Sequence, residues 1–312
     1  MVVSGVLCVN KPTGMTSHDV VHRIRRTFKV KAGHAGTLDP LAQGVLIILI
    51  GDYTRLSEYF TSDSKKYNTT VKLGVETDTI DSEGCIVSQK STDHLTEEII
   101  KNSISRFTGK ISQIPPMFSA VKVNGKPLYK AARKGETVDR KPRQVNIHSL
   151  ELVKFSTSEI ELDVYCSKGT YIRQLALDIC LDSNTVGHLT KLTRTASGDF
   201  IIKNAIPLDS ILEMSTEEFI DNLDSGIRFL KGFYILENIS DDDFSKISNG
   251  TQIELPLVQD TENAAVVTKS GYIAAIGQIK NNNFFPGKVL RNIIDNSFYQ
   301  NTQNQIKGEL PK

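Results

Sequence analysis

The sequence predicts an α+β fold with a small β-rich region at its carboxyl-terminal end. Residues 67–73 and 160–166 alternate apolar with polar side chains, as half-buried strands do, whereas residues 20–28 and 172–179 have helical spacing. From about residue 230, short apolar runs separated by Gly and Asn turns replace the helical spacing. A length of 312 residues suffices for one large and one small domain.

The overall composition is that of an ordinary globular protein. The amino terminus lacks the basic and apolar segments of a signal peptide, and the longest strong apolar run, residues 45–50, is too short to span a membrane. The four cysteines lie far apart without a Cys-x-x-Cys pair, which argues against a zinc site and against a disulfide framework. These features predict a cytoplasmic protein.

Charge is unevenly distributed, although the formal net charge is only +1. Residues 122–154 contain nine Lys or Arg against three Asp or Glu, whereas residues 209–243 contain two against ten. Blocks of opposite sign indicate one face that binds a polyanion and one that is merely solvated. Two ordinary charged surfaces would give the same pattern, so both interpretations stay open here.

The first helix is predicted shortly after residue 15. Thr16 or Ser17 is a suitable N-cap, and Asp19 lies in the first turn, where a carboxylate interacts favourably with the helix dipole. One face is apolar and the opposite face is basic, which fits either a solvated surface or phosphate contact. The apolar residues are Val20, Val21, Ile24 and Phe28, and the basic residues are Arg23, Arg25, Arg26 and Lys29.

The segment AGHAGTLDPLAQGVLIILIG, residues 32–51, joins a polar loop directly to an apolar strand. The loop contains His34 and one carboxylate, Asp39, which a proline follows. An Asp-Pro pair often does no more than begin a turn. A carboxylate that takes part in chemistry would need this kind of rigid attachment, so the pattern alone supports either role.

Two further side chains lie on sharply defined elements. Tyr67 shares one face of a predicted strand with Thr69, Val71 and Leu73. Arg173 lies in the first turn of a helix that follows a strand and a Lys-Gly corner, a position where functional residues are often placed. The simpler alternatives are a core tyrosine and a solvated arginine.

Residues 115–145 are predicted to be an excursion from the main fold. They contain a Pro-Pro entry, the turn Asn124-Gly125 and a short helix that starts at Pro127. Three basic residues lie near one end of that helix: Lys130, Arg133 and Lys134.

Motifs for nucleotide-dependent, metal-dependent or serine-hydrolase chemistry are absent from the sequence. It contains no G-x-x-x-x-G-K-[ST], no G-x-G-x-x-G after a strand, no H-E-x-x-H and no G-x-S-x-G. The sequence therefore predicts a protein without a cofactor and without a metal.

Five segments, in order, resemble the bacterial tRNA pseudouridine-55 synthases, the TruB family. They cover residues of about 10–200 and read NKPTGMTSHDVV, GHAGTLDPLAQGVL, KKYNTTVKLGVETDTIDSEG, IPPMFSAVKVNGKPLYKAARKG and CSKGTYIRQLA. The resemblance implies a catalytic domain, residues 1–230, around a mixed, largely antiparallel sheet, with residues 115–145 inserted as an RNA-binding thumb. It also implies a small β-rich PUA-like RNA-binding domain, residues 231–305, followed by a loose tail, 306–312.

The resemblance also implies roles for single residues. Asp39 matches the catalytic aspartate, Arg173 its paired arginine, and Tyr67 the catalytic tyrosine that stacks on the target base. The match extends to substrate-binding residues of the uridine pocket, and the thumb residues are expected to bind the RNA backbone. The pocket residues are His34, Tyr67, Tyr171 and Leu192, and the thumb residues are Lys130, Arg133 and Lys134.

The implied reaction breaks the C1′–N1 bond of uridine 55 in the T-loop, rotates the base and rejoins it through C5. An isomerisation of this kind consumes neither a redox cofactor nor an energy source. A carboxylate could attack C1′, attack C6 or stabilise a glycal-forming pathway, and the sequence is compatible with all three. The target base would have to be flipped out of its stack.

Two alternatives have different implications for partners. A guide-RNA-dependent relative would need partner proteins, but the basic insert is characteristic of stand-alone enzymes. An RNA-folding chaperone would not need Asp39, Arg173 and Tyr67 together, although folding assistance could accompany catalysis. The expected partner is the tRNA T-arm, bound by a monomer without an obligatory protein partner or a membrane, and modification of other RNAs stays open.

Overall fold

The computed structural model describes residues 3–61, 64–119, 121–123 and 125–290. Asn124 of the predicted turn, the predicted tail and the last part of the predicted second domain, 291–305, lie outside the described residues. The helices are α1 (Ser17–Phe28), α2 (Ser57–Thr61), α3 (Glu97–Arg106), α4 (Leu128–Ala132), α5 (Ile172–Asp182), α6 (Leu208–Leu212), α7 (Thr216–Asp221) and α8 (Asp241–Ser248).

The strands belong to two main sheets and two short hairpins. They are β1 (Gly5–Lys11), β2 (Ala32–Ala35), β3 (Gln43–Ile50), β4 (Lys65–Leu73), β5 (Val75–Thr77), β6 (Ile86–Gln89), β7 (Gly109–Gln113), β8 (Lys122–Val123), β9 (Lys126–Pro127), β10 (Arg143–Phe155), β11 (Glu159–Cys166), β12 (Gly187–Ser197), β13 (Phe200–Ile201), β14 (Ile206–Pro207), β15 (Tyr234–Leu236), β16 (Ile253–Glu254), β17 (Thr261–Val267), β18 (Ile273–Lys280) and β19 (Asn283–Val289).

The larger sheet is mixed and mostly antiparallel. Its order is β14-β1-β3-β12-β4-β11-β10-β7, with β13 added to β12 and β2 added to β3. The pairs β1·β14 and β3·β12 are parallel, and the remaining pairs of this sheet are antiparallel. Helices α1, α3 and α5 share an apolar core with this sheet, and the predicted α+β class with a mixed, largely antiparallel sheet is confirmed.

The predicted first helix forms where the sequence places its signals. Of the two candidate N-caps, Thr16 is the cap, because its hydroxyl accepts from the Asp19 amide while the Asp19 carboxylate accepts from the Thr16 amide. The four predicted apolar residues are all buried. The segment TEEIIKNSISRFTG predicts a helix that Gly109 ends, but α3 stops at Arg106; Gly109 instead adopts φ +95° where β7 begins.

Strand β3 lies between β1 and β12 in the larger sheet, and its residues 45–50 are buried on both faces. Leu46, Ile48 and Ile50 pack into a core shared with α1. The alternate residues Val45, Ile47 and Leu49 pack into a second core together with residues from the carboxyl-terminal sheet. A strand that is buried on both faces reads as a continuous apolar run, which explains residues 45–50.

The smaller sheet, β15-β17-β18-β19-β16, confirms the predicted β-rich carboxyl-terminal region. It is joined to the larger sheet by shared core and by Tyr53, which is fully buried. The Tyr53 hydroxyl donates to the carbonyl of Ser225 (2.7 Å) and accepts from the amide of Ile273 (2.9 Å). The division at residue 230 stays a prediction, and the second apolar core crosses it.

The insert contains the hairpin β8–β9 and the short helix α4. Pro127 is the N-cap of α4, and Leu128, the first residue of the helix, is buried. The two ends of the insert are tied together because Arg140 donates to the carbonyl of Pro115 (3.0 Å). The basic residues Lys130, Arg133 and Lys134 are exposed, so the insert presents its charge to solvent.

Candidate active site

A cavity of about 560 Å³ opens where the loop after β2 meets β4, β12 and the start of α5. It brings together five of the predicted site residues, which come from segments far apart in the chain. They are Asp39, Tyr67, Tyr171, Arg173 and Leu192. His34 and the three basic thumb residues are not among the residues that line this cavity.

Asp39 and Arg173 form an ion pair at the cavity. The Arg173 Nε atom donates to Asp39 Oδ2 at 2.9 Å. The side chain of Arg173 is only 6% exposed, whereas that of Asp39 is 37% exposed. The alternative of a solvated arginine is therefore wrong, and the carboxylate is the member of the pair that faces the cavity.

The guanidinium of Arg173 is fixed on its other sides by backbone carbonyls. Its Nη1 atom donates to Thr79 (2.6 Å), and its Nη2 atom donates to Phe118 (2.8 Å) at the entry of the insert. A planar guanidinium with partners on every edge has one orientation. The direction in which it holds the Asp39 carboxylate is therefore set by two other parts of the chain.

Sequence reasoning missed a second carboxylate, Asp81. Its side chain is 6% exposed, and Oδ2 lies 3.6 Å from Arg173 Nη1. Its Oδ1 atom accepts from the hydroxyl of Thr79 (2.6 Å) and from the amide of Glu83 (3.1 Å). The segment DSEG carries only turn signals, so the sequence gives no indication that this aspartate is buried beside an arginine.

The loop that carries Asp39 is held through its backbone. The Ser17 hydroxyl donates to the carbonyl of Leu38 (3.0 Å) and accepts from the Leu38 amide (2.8 Å). On the other side of Asp39, the carbonyl of Pro40 accepts from the amide of Gly14 (2.9 Å). These contacts do not involve the Asp39 carboxylate, so the loop keeps its anchors when that group changes.

Lys11 adds a titratable anchor to the same loop. Its side chain is fully buried, and Nζ donates to the carbonyls of Pro12 (2.8 Å), Met15 (2.6 Å) and Pro40 (3.4 Å). Burial lowers the pKa of Lys11 to about 8, and the carboxylate of Asp39 acts in the opposite direction.

The lowered pKa of Lys11 predicts a pH dependence of stability. The unfolded state, with a lysine pKa near 10.5, binds more protons than the folded state between pH 8 and 10.5, so this group makes stability rise with pH there. From pH about 7.5 to about 9.5, wild type should gain about 1–2 kcal/mol of unfolding free energy relative to Lys11→Met. Urea unfolding at both pH values measures the difference, and a relative loss would contradict the assignment.

Tyr67 lies across the cavity from the loop and carries a perturbed phenol. Burial raises the pKa of Tyr67, while the positive charge of Arg194 and a hydrogen bond from it act in the lowering direction. A phenol with a raised pKa is a poorer base near neutral pH. Tyr67 is partly exposed and lines the cavity.

Tyr171 is positioned by a residue that the sequence did not suggest. Gln113 is buried at the end of β7; its Oε1 accepts from the Tyr171 amide (2.8 Å) and its Nε2 donates to the Tyr171 carbonyl (3.1 Å). Burial raises the pKa of Tyr171. This two-point contact fixes the residue just before α5, and with it the start of the helix that carries Arg173.

His34 lies on β2 opposite Ile48. Burial lowers the pKa of His34, and the nearby charge of Arg194 acts in the same direction. Its Nδ1 atom is buried without a hydrogen-bond partner among the described residues. The structure therefore places His34 beside the loop, outside the cavity lining.

No group of three or more His, Cys, Asp or Glu side chains among the described residues is arranged to hold a metal ion. Nor does the described part of the chain contain a helix that is long and apolar enough to cross a membrane.

The sequence is similar to a well-populated group of proteins. Residues 24–172 match the family model for the TruB family pseudouridylate synthase, amino-terminal domain. A tRNA pseudouridine synthase B of Francisella philomiragia is 43% identical over 248 residues, which are 78% of this chain and 82% of that protein. The protein of the same description from Mesoplasma florum is 38% identical over 287 residues, covering 91% and 97%.

Solved structures share the fold. A chain in the structure of an H/ACA RNP bound to a substrate RNA containing 2′-deoxyuridine has a TM-score of 0.68 and 21% identity, over 92% of this chain and 84% of that one. A chain of an archaeal box H/ACA sRNP complex has a TM-score of 0.68 and 20% identity, over 93% and 86%. At such low identity the likeness supports the fold and nothing further.

Proposed function

The chain belongs to the TruB family of pseudouridylate synthases and is therefore an isomerase that acts on tRNA; on that premise we propose that it converts uridine 55 of the T-loop to pseudouridine. The observation that supports this proposal is the ion pair of Asp39 and Arg173 at a cavity that also contains the ring of Tyr67. A cavity of about 560 Å³ has room for one nucleotide base and its ribose.

Asp39 is the proposed catalytic carboxylate. Cleavage of the C1′–N1 bond develops positive charge at C1′ or requires a nucleophile, and an ionised carboxylate serves either need. Its partner is buried and fixed by two carbonyls, and its loop is fixed by Ser17 and Lys11. A carboxylate held in this way keeps its direction while the base rotates.

Base flipping is the proposed route of the uridine into the cavity. The T-loop stacks its bases, and an enzyme that acts on C1′ and C5 must take the target out of the stack. Tyr67 offers an aromatic face for the extruded base, and Leu192 and Tyr171 complete the apolar lining. We assign His34 to the position beside the loop where it can occupy the space that the base leaves.

The insert is the proposed thumb on the T-arm, within a catalytic domain of residues 1–230; residues 231–305 would form the second RNA-binding domain. The exposed Lys130, Arg133 and Lys134 are suited to phosphates rather than to a buried role. The thumb and the cavity are connected, because Phe118 at its entry accepts from Arg173. A monomeric enzyme that acts without partner proteins in the cytoplasm stays a prediction.

Replacing Lys130, Arg133 and Lys134 together by Ala should weaken tRNA binding at low salt. The plot of log affinity against log salt should also flatten by up to about two units, at about 0.7–0.9 per lost phosphate contact. Turnover at saturating tRNA should fall less, because the cavity is untouched. The triple variant Lys90, Lys101 and Lys110 to Ala, which removes as much charge outside the insert, is the control. Superimposable slopes for wild type and thumb variant would exclude phosphate contact through these residues.

The proposed function is tested with a prefolded T-arm hairpin and its counterpart in which cytidine replaces uridine 55. We expect one pseudouridine per hairpin at position 55 and none in the counterpart, measured by chemical mapping of the product RNA. Pseudouridine at another uridine would support isomerase activity but contradict the assignment of uridine 55 as the target. RNA refolding without pseudouridine formation would favour the chaperone alternative.

A further inference from the structure

Arg194 is a buried cation that the proposed reaction does not use directly. It lies on β12 and is 1% exposed. Among the described residues it is the largest side chain that is fully buried. Within that part of the chain, no carboxylate lies within 4.0 Å of its guanidinium, in contrast to Arg173. Burying a charge without an opposite charge is costly, so a core arginine of this kind calls for a reason beyond packing.

The guanidinium spans two segments that must stay in register. Its Nε atom donates to the carbonyl of Val45 on β3 (2.6 Å). Its Nη2 and Nη1 atoms donate to the carbonyls of Gly36 (3.0 Å) and Thr37 (3.4 Å), in the loop that leads to Asp39. One rigid group therefore sets the separation between β3 and the loop, at a point two residues before Asp39.

The backbone is adapted to this close approach. Arg194 is paired in parallel with Gly44, which has φ +102°. A Cβ atom at Gly44 would collide with the backbone of Arg194. Glycine is therefore needed there both for its conformation and for the space that the strand of the arginine takes up.

Arg194 also reaches the other side of the cavity. It lies opposite Tyr67 in the β12–β4 pairing, and both residues line the cavity. Against the larger effect of burial, the positive charge of Arg194 acts to lower the pKa of the Tyr67 phenol. The same residue thus binds the loop of Asp39 and lies beside Tyr67 on the neighbouring strand.

We propose that Arg194 is a positioning residue that fixes the distance between the Asp39 loop and Tyr67. It acts through Asp39 and Tyr67 and does not touch the substrate in this role. This inference rests on the proposed function of Asp39. The positive charge that develops at C1′ then faces the Asp39 carboxylate. Arg194 fixes the position of this carboxylate through the loop backbone, and Arg173 fixes it through the ion pair.

The test compares Arg194→Lys with wild type under single-turnover conditions on saturating T-arm RNA. Lysine keeps the charge but cannot reach three carbonyls in a fork. The rate per bound RNA should fall by about 100-fold, because a displacement of about 1 Å is enough for such a loss. The dissociation constant for RNA should stay within about threefold, since the phosphate contacts are elsewhere. Arg55→Lys is the matched control, because Arg55 Nη1 also donates to a backbone carbonyl, that of Val289 (2.5 Å).

Unfolded protein binds no RNA, so a rate normalised to bound RNA is not lowered by it. A merely structural loss would therefore leave this rate unchanged. A second readout is a double-mutant cycle with Tyr67→Phe, which removes the phenol oxygen. If Arg194 acts partly through that oxygen, the loss caused by Arg194→Lys should be at least about threefold smaller in the Tyr67→Phe background.

The inference is overturned by three results: a rate within about threefold of wild type, a variant that no longer binds RNA, or strictly additive effects in the cycle. In the second case Arg194 would be a core residue and nothing more. Failure of the proposed function looks different, because then wild type itself would leave uridine 55 unmodified. An active wild type together with an unaffected Arg194→Lys would refute only the positioning role.

Discussion

Replacement of Asp39 by Asn is expected to abolish pseudouridine formation while leaving tRNA affinity within about threefold of wild type. Asparagine has the same shape and can still accept from Arg173, but it brings no negative charge and no nucleophilic oxygen to C1′. The loop should keep its conformation, because Ser17, Lys11 and Gly14 hold it through backbone groups. A loss of at least about 10⁴ in turnover is expected when an essential charged group is removed.

The measurement is pseudouridine formed per enzyme on a T-arm hairpin, together with a binding titration of the same RNA. Asp182→Asn is the matched control: Asp182 also accepts from an arginine, Arg106, at 2.9 Å, but this pair lies on the exposed surface of α3 and α5. Its variant should retain full activity. Measurable turnover by purified Asp39→Asn would refute the catalytic role, and an equal loss of binding would make Asp39 a structural residue.

Replacement of Arg173 by Met should abolish turnover and also destabilise the fold. The change leaves the buried carboxylate of Asp81 without its cation and leaves the carbonyls of Thr79 and Phe118 without a donor. Breaking a buried pair by removing one partner typically costs about 3–5 kcal/mol, which is far more than an exposed pair contributes. Urea unfolding measures this loss, and single-turnover kinetics measures the loss of rate.

Two further variants separate the stability effect from the catalytic effect. Adding Asp81→Asn to Arg173→Met removes the uncompensated charge, so part of the unfolding free energy should return while the activity should not. Arg106→Met, at the exposed pair with Asp182, should cost less than about 1 kcal/mol. If Arg173→Met were as stable as Arg106→Met, the burial argument for this pair would be wrong.

The parts of the fold that the sequence predicted are those with a strong local period. The inner face of α1 and the alternation of β4 both depend on spacing that a chain shows without its partners. The end of α3 was misplaced because Gly109 was interpreted as the end of the helix, whereas it starts the next strand. Boundaries depend on tertiary context more than the existence of an element does.

The candidate site divides along the same line. Asp39, Tyr67 and Arg173 could be predicted from the sequence because they lie in motifs that resemble a known family. Asp81, Gln113 and Arg194 could not be predicted, because the hydrogen-bond partners of a buried polar side chain are distant in sequence. Arg194, for example, binds the carbonyl of Val45, and Gln113 binds the backbone of Tyr171. No periodicity or turn signal marks such pairs.

The two-sided burial of β3 has a consequence for the order in which the chain is made. On a ribosome, the face of β3 that packs with α1 can be covered almost as soon as the strand emerges, because α1 precedes it. The other face packs partly against Tyr53, Leu56 and Phe60, which follow the strand closely, and partly against Ile273, Ile276 and Leu290, more than 220 residues later. Until synthesis reaches the later residues, part of the apolar face of β3 stays uncovered on the nascent chain. Late covering of this kind favours aggregation during slow translation, so overexpression should yield soluble protein best at low temperature or with added holding chaperones.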